Sequence, residues 1–113
     1  MVAAFELDGQ PFTALNGGPQ FKFDEAISFQ VPCENQDEID YFWSKLTEGG
    51  GQPGPCGWLK DKFGVSWQVF PSALPKMLMD ADRPKAARVM SAFMTMRKFD
   101  LAALERVYAG EAA

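Results

Sequence analysis

The stretch Cys56-Gly57-Trp58-Leu59-Lys60-Asp61-Lys62-Phe63-Gly64-Val65-Ser66-Trp67-Gln68-Val69-Phe70 decides the fold. Two β-prone runs, 56–60 and 65–70, flank Asp61-Lys62-Phe63-Gly64, where Gly64 supplies the turn, so the segment predicts a β-hairpin that Pro71 ends. Upstream, the glycine- and proline-rich Gly49–Pro55 is a loop with room for a short edge strand. Before it, Asn35 followed by Glu38 opens an amphipathic helix in the manner of a capping box. Ile39, Phe42, Trp43 and Leu46 recur there at helical spacing up to Gly49-Gly50-Gly51.

Further out, Ala26-Ile27-Ser28-Phe29-Gln30-Val31 alternates with the period of a half-buried strand. Residues 2–8 and 11–15 surround Asp8-Gly9, a dipeptide favoured in tight hairpin turns. On the C-terminal side, a helix runs from Ser72 to Asp80. A second is capped by Asp82, has Pro84 in its first turn, and carries Val89, Met90, Phe93 and Met94 on one face. A last one begins at Asp100 with Leu101, Leu104, Val107 and Tyr108 at helical spacing. Strands and helices alternate too little for a parallel βαβ sheet, and the residues alone favour an antiparallel α+β architecture.

A chain of 113 residues, 47% hydrophobic, makes one domain with a core of its own. The net charge is −4, and no basic run exceeds Arg97-Lys98. Such a surface does not track nucleic-acid phosphates. No apolar run reaches the ~20 residues of a membrane span, and the first residues do not read as a signal peptide, which predicts a cytoplasmic protein. Cys33 and Cys56 lack metal or redox-motif spacing and are expected reduced. Histidine is absent altogether. Histidine bases, Ser-His-Asp and Cys-His catalysis and histidine-based zinc sites are thereby excluded within the chain, leaving carboxylates, Lys, Tyr or Cys for proton transfer.

Phe5-Glu6-Leu7-Asp8-Gly9-Gln10, Ala14-Leu15-Asn16-Gly17-Gly18-Pro19 with Phe21-Lys22-Phe23, and the tryptophan-bearing hairpin 56–68 resemble PhnB-like proteins. These are also labelled demethylubiquinone methyltransferase-like, and belong to the glyoxalase/bleomycin-resistance (vicinal oxygen chelate) superfamily. The resemblance implies an α+β glyoxalase-like βαβββ module with a mixed, mostly antiparallel curved sheet, followed by C-terminal helices. Residues 25–71 would be the second module, 72–113 a helical tail, and 1–24 the end of an incomplete first module. Either truncation or a partner subunit would account for the missing part.

Superfamily enzymes hold a metal with His and Glu side chains pointing into the cup of the sheet. Alignment on Asp61-x-x-Gly64 puts these positions at Gln68, Ala26 and Ala14, so the resemblance implies neither a metal nor another cofactor. The alternation agrees. Ala26, Ser28 and Gln30, with Ser66 and Gln68, share the polar cup face, while Ile27, Phe29, Val31, Val65, Trp67 and Val69 face the helix bearing Phe42 and Trp43.

The candidate ligand-binding residues are Asn16, Ser28, Gln30, Trp58, Ser66 and Gln68. Each has a plainer reading. Gln68 is an anchor or a solvated strand residue, Asn16 before Gly-Gly is chiefly a turn residue, and a hairpin tryptophan such as Trp58 is more commonly core or interface. Glu34, Asp37, Glu38 and Asp40 fit the positive end of a helix dipole better than a metal. Cys56 is a weak candidate nucleophile, Cys33 is structural, and the methionines 77, 79, 90, 94 and 96 fill apolar contacts.

No catalytic residue is identified. The expected function is a metal-independent small-molecule-binding protein acting as a homodimer, because an unpaired sheet edge invites another chain. The alternative is an enzyme: a glyoxalase-like lyase or isomerase, or a methyltransferase.

Overall fold

The computed structural model describes residues 1–111; Ala112 and Ala113, the end of the expected tail, lie outside the described residues. Asp8 and Gly9 both take left-handed backbone, φ 51° and 78°, and fold β1 (Val2–Leu7) onto β2 (Gln10–Leu15) as an antiparallel pair. This is the geometry whose twist matches that of the strands it joins. The hairpin is a separate two-stranded sheet, and it gives the chain an elongated outline of 54 × 26 × 25 Å. An edge-to-face contact between Phe12 and Phe29 links it to the body.

The body is built on β3 (Ser28–Cys33), α1 (Gln36–Thr47), β4 (Gln52–Pro53), β5 (Trp58–Lys60) and β6 (Ser66–Pro71). The sheet order β3-β6-β5-β4 makes a βαβββ unit. β5 pairs antiparallel with both β4 and β6, whereas β3 and β6 are parallel. The antiparallel preference therefore fails at this one pairing, since the chain returns through α1 and the β4–β5 hairpin before β6 lies beside β3. The mixed, mostly antiparallel sheet is the one the resemblance implied.

Asn35 caps α1 by accepting from the Glu38 amide at 2.9 Å, and Glu38 accepts in turn from the Glu34 amide at 2.6 Å. The acidic cluster thus serves the helix N-terminus, and Asp40 also pairs with Lys98. Ile39 on α1 is fully buried against Cys33, Leu59 and Val69, with Val31, Phe42, Trp43, Leu46 and Trp67 around them. Each such aliphatic side chain contributes roughly 1.5–3 kcal/mol. Ile27 departs from the expectation: the strand begins one residue later, and Ile27 is 74% exposed.

The tail forms α2 (Leu74–Leu78), shorter than the expected Ser72–Asp80, then α3 (Arg83–Phe93) and α4 (Leu101–Tyr108). Their own core joins Leu74, Met77, Val89, Phe99, Leu104 and Val107. On α3 the expected face is half kept: Val89 is buried with Ala86 and Phe93 packs against the same core, while Met90 and Met94, on the flank of that stripe, are exposed. Met79 is likewise exposed; only Met77 and Met96 pack.

Candidate functional site

Along β6 the side chains part by parity, as strand geometry requires. Trp67 and Val69 go to the core beneath α1. Ser66 and Gln68 go to the opposite, open face, and the register sets them beside Ser28 and Gln30 of β3 and beside Lys60 and Trp58 of β5. Asp61 holds the hairpin that presents them. One carboxylate oxygen accepts from the Phe63 and Val65 amides at 2.9 and 3.0 Å, and the other from the Trp67 indole at 2.9 Å.

The tail closes over one end of this face. Cys56 and Gly57 donate their amides to the carbonyls of Met96 and Arg97, both at 2.8 Å, and stitch β5 to the α3–α4 connection. Gln36 locks the same connection to α1: its amide nitrogen donates to the Phe99 carbonyl at 2.9 Å, and its oxygen accepts from the Leu101 amide at 2.8 Å.

Between strands and tail lies a cleft of about 430 Å³. Gln30, Trp58, Gln68 and Phe70 form one wall, and Leu74, Leu78, Phe93 and Phe99 the other, with Cys56 at its edge. The Gln68 amide donates to the Ser28 hydroxyl at 2.9 Å. That bond fixes the side chain and leaves its carbonyl oxygen as an acceptor. A polar group so held among aromatic and aliphatic walls is the usual make-up of a small-molecule site.

On the other side of Trp58 is a second cleft of about 410 Å³, lined by Glu25, Gln52, Pro53, Gly54, Pro55, Lys60 and Ser66. Glu25 and Lys60 form an ion pair there, and the Lys60 ammonium, hydrogen-bonded to the carboxylate, holds the Glu25 carboxyl below its ordinary range. Ser66 is buried, with its hydroxyl unpartnered.

Five of the six sequence candidates therefore fall on one face: Ser28, Gln30, Trp58 and Gln68 about the first cleft, and Ser66 in the second, which Trp58 also lines. Asn16 does not join them. It ends the separate hairpin, exposed, with its backbone amide bonded to the Met1 carbonyl. Sequence reasoning missed the tail's contribution, above all Phe99, and the Gln36 side chain of α1 that holds the tail in place. Helical periodicity marks which residues of the tail are apolar but not which sheet face they roof.

The residues at the superfamily's metal positions do not fit a metal. Gln68 offers a neutral amide, and Ala14 and Ala26 offer no donor. Among the described residues no three His, Cys, Asp or Glu side chains gather as a metal-binding group. Cys33 is buried among apolar side chains, and desolvation, aided by Glu38 and Glu34, pushes its thiol up to about 11. It is an unreactive packing residue. Among the described residues, no helix is long and apolar enough to cross a membrane.

A family model described as 3-demethylubiquinone-9 3-methyltransferase matches residues 1–70. Among solved structures, a PhnB protein from Bacillus cereus, named for the same 3-demethylubiquinone-9 3-methyltransferase, is 36% identical with a TM-score of 0.53. The match covers 61% of this chain and 62% of that protein, so the chain spans less than two thirds of its relative. No curated protein matches the chain.

Proposed function

Because this chain belongs to the PhnB-like family, whose model bears the description 3-demethylubiquinone-9 3-methyltransferase, within the vicinal oxygen chelate superfamily, we propose that it is a metal-independent small-molecule-binding protein that acts as a homodimer. The observation that carries the reading is the Gln68 side chain, pinned by Ser28 and facing a cleft whose other walls are Trp58, Phe70, Leu74, Leu78, Phe93 and Phe99. Such a cleft takes a largely apolar molecule and orients it through one carbonyl acceptor. In this reading residues 25–71 supply the binding module and the helical tail its roof.

The dimer rests on the free edge of β3 and on the apolar side chains that the hairpin region leaves exposed, among them Phe5, Leu7, Phe21 and Phe23. A long apolar edge left open is a template for pairing with another chain. Native mass spectrometry of the purified chain tests both statements together. A dimer carrying an organic mass that Gln68→Leu loses is the expected result. A monomer without adduct overturns the reading, and a stoichiometric divalent metal would return the family's enzymatic chemistry to first place.

A further inference from the structure

The second cleft contains a polar group without a hydrogen-bond partner. Ser66 is 1% exposed, opens β6 and has no hydrogen-bond partner, although buried hydroxyls are nearly always satisfied. Its neighbours are engaged elsewhere. Ser28, across the parallel ladder, is engaged with Gln68, and Lys60, across the antiparallel one, is engaged with Glu25. The hydroxyl retains both a donor and an acceptor function, and Ser66 belongs to the lining of a cleft that also includes Trp58, Pro53, Pro55 and Gln52.

We propose that this cleft is a second binding subsite, for a neutral single-ring aromatic carrying one hydroxyl group, with Ser66 as its polar anchor and Trp58 as its stacking wall. Three features select that chemistry. A ligand hydroxyl is the simplest group that donates to and accepts from another hydroxyl at once. Trp58, Pro53 and Pro55 line the cleft with flat, largely apolar rings, the kind of surface on which an aromatic ring stacks. Glu25 and Lys60 are the charged side chains of the lining, and they neutralise each other, so the cleft offers nothing to a charged ligand. Lys60 and Glu25, both partly exposed members of the lining, have to give way for a ligand hydroxyl to meet that of Ser66.

The inference does not depend on the Gln68 cleft, and the test separates the two. Amide NMR spectra of the full chain are followed during titration with p-cresol and, in parallel, with toluene. The expected result is that p-cresol shifts the Gln52, Lys60 and Ser66 amides and binds roughly five- to tenfold more tightly than toluene, the value of one hydrogen-bonded hydroxyl. Ser66→Ala, which removes only the unpartnered hydroxyl and retains the fold, is expected to erase that difference. Equal binding of the two probes, an unchanged preference in Ser66→Ala, or shifts confined to Gln30, Gln68 and Phe70 would each overturn the subsite. The last outcome would leave the Gln68 cleft standing.

Discussion

Replacing Gly57 with alanine strikes the joint between sheet and tail. Gly57 is buried with φ +79°, and an added Cβ would stand 2.4 Å from Phe99 Cε2 and 2.7 Å from the Val69 carbonyl oxygen. Two costs add. Left-handed backbone costs an L-residue about 1–2 kcal/mol, and forcing a methyl group into a filled core costs about 1–3 kcal/mol more. The Val69 oxygen is backbone in the central part of β6, so the relief must come from Phe99, which is 2% exposed and forms part of both the tail core and the Gln68 cleft.

Gly64→Ala provides the comparison, because Gly64 has φ +90° but its added Cβ would meet nothing nearer than Phe23 Cβ at 3.9 Å. It bears the conformational cost alone. Urea unfolding followed by tryptophan fluorescence should place Gly57→Ala about 1–3 kcal/mol below Gly64→Ala in stability, with the Gln68 cleft disturbed only in the former. Equal losses, within about 0.5 kcal/mol, would refute the wedge of Phe99 against Gly57 as the joint that sets the cleft.

Two other outcomes follow from particular groups. Gln36→Ala removes the acceptor of the Leu101 amide and a donor to the Phe99 carbonyl, and should cost roughly 1–3 kcal/mol, read as lost hydrogen-exchange protection at Leu101 while α1 stays protected. For Cys33 the folded-state pKa, about 11, lies above the ordinary 9.0, so the native state holds the proton more tightly. Its contribution is complete below pH 9 and is lost as pH rises towards 11; a pH series of urea midpoints should show that decline in the native chain and a weaker one in Cys33→Ala. Thiol labelling at pH 8 should modify Cys33 only after unfolding, and finding it labelled at the rate of a free thiol in the folded chain would contradict its burial.

Local chemistry alone announced most of the elements. The Asp8-Gly9 turn, the Asn35 cap, the Gly64 hairpin and the Asp82 and Asp100 starts all depend on contacts within a few residues, and they stand where the residues place them. Alternation likewise sorted Ser66 and Gln68 from Trp67 and Val69, since strand parity is a property of the backbone. The start of β3 was misjudged at Ala26 and Ile27 because alternation marks a face without marking where pairing begins. Of the face read on α3, Val89 and Phe93 pack into the tail core while Met90 and Met94 stay exposed, because a helix with several apolar residues has more than one face to bury and the neighbouring helix chooses.

What the chain's residues determined by themselves, then, was the set of elements, their faces and the neutral, histidine-free character of the site, because these follow from short-range sterics and from side-chain chemistry. Only the tertiary structure decided that β3 lies parallel to β6, that the tail roofs the Gln68 side of the open face, that Ser66 is left without a partner, and that Asn16 stands apart. Each of these is a contact between segments distant in sequence, selected by competition among apolar surfaces that local patterning does not rank.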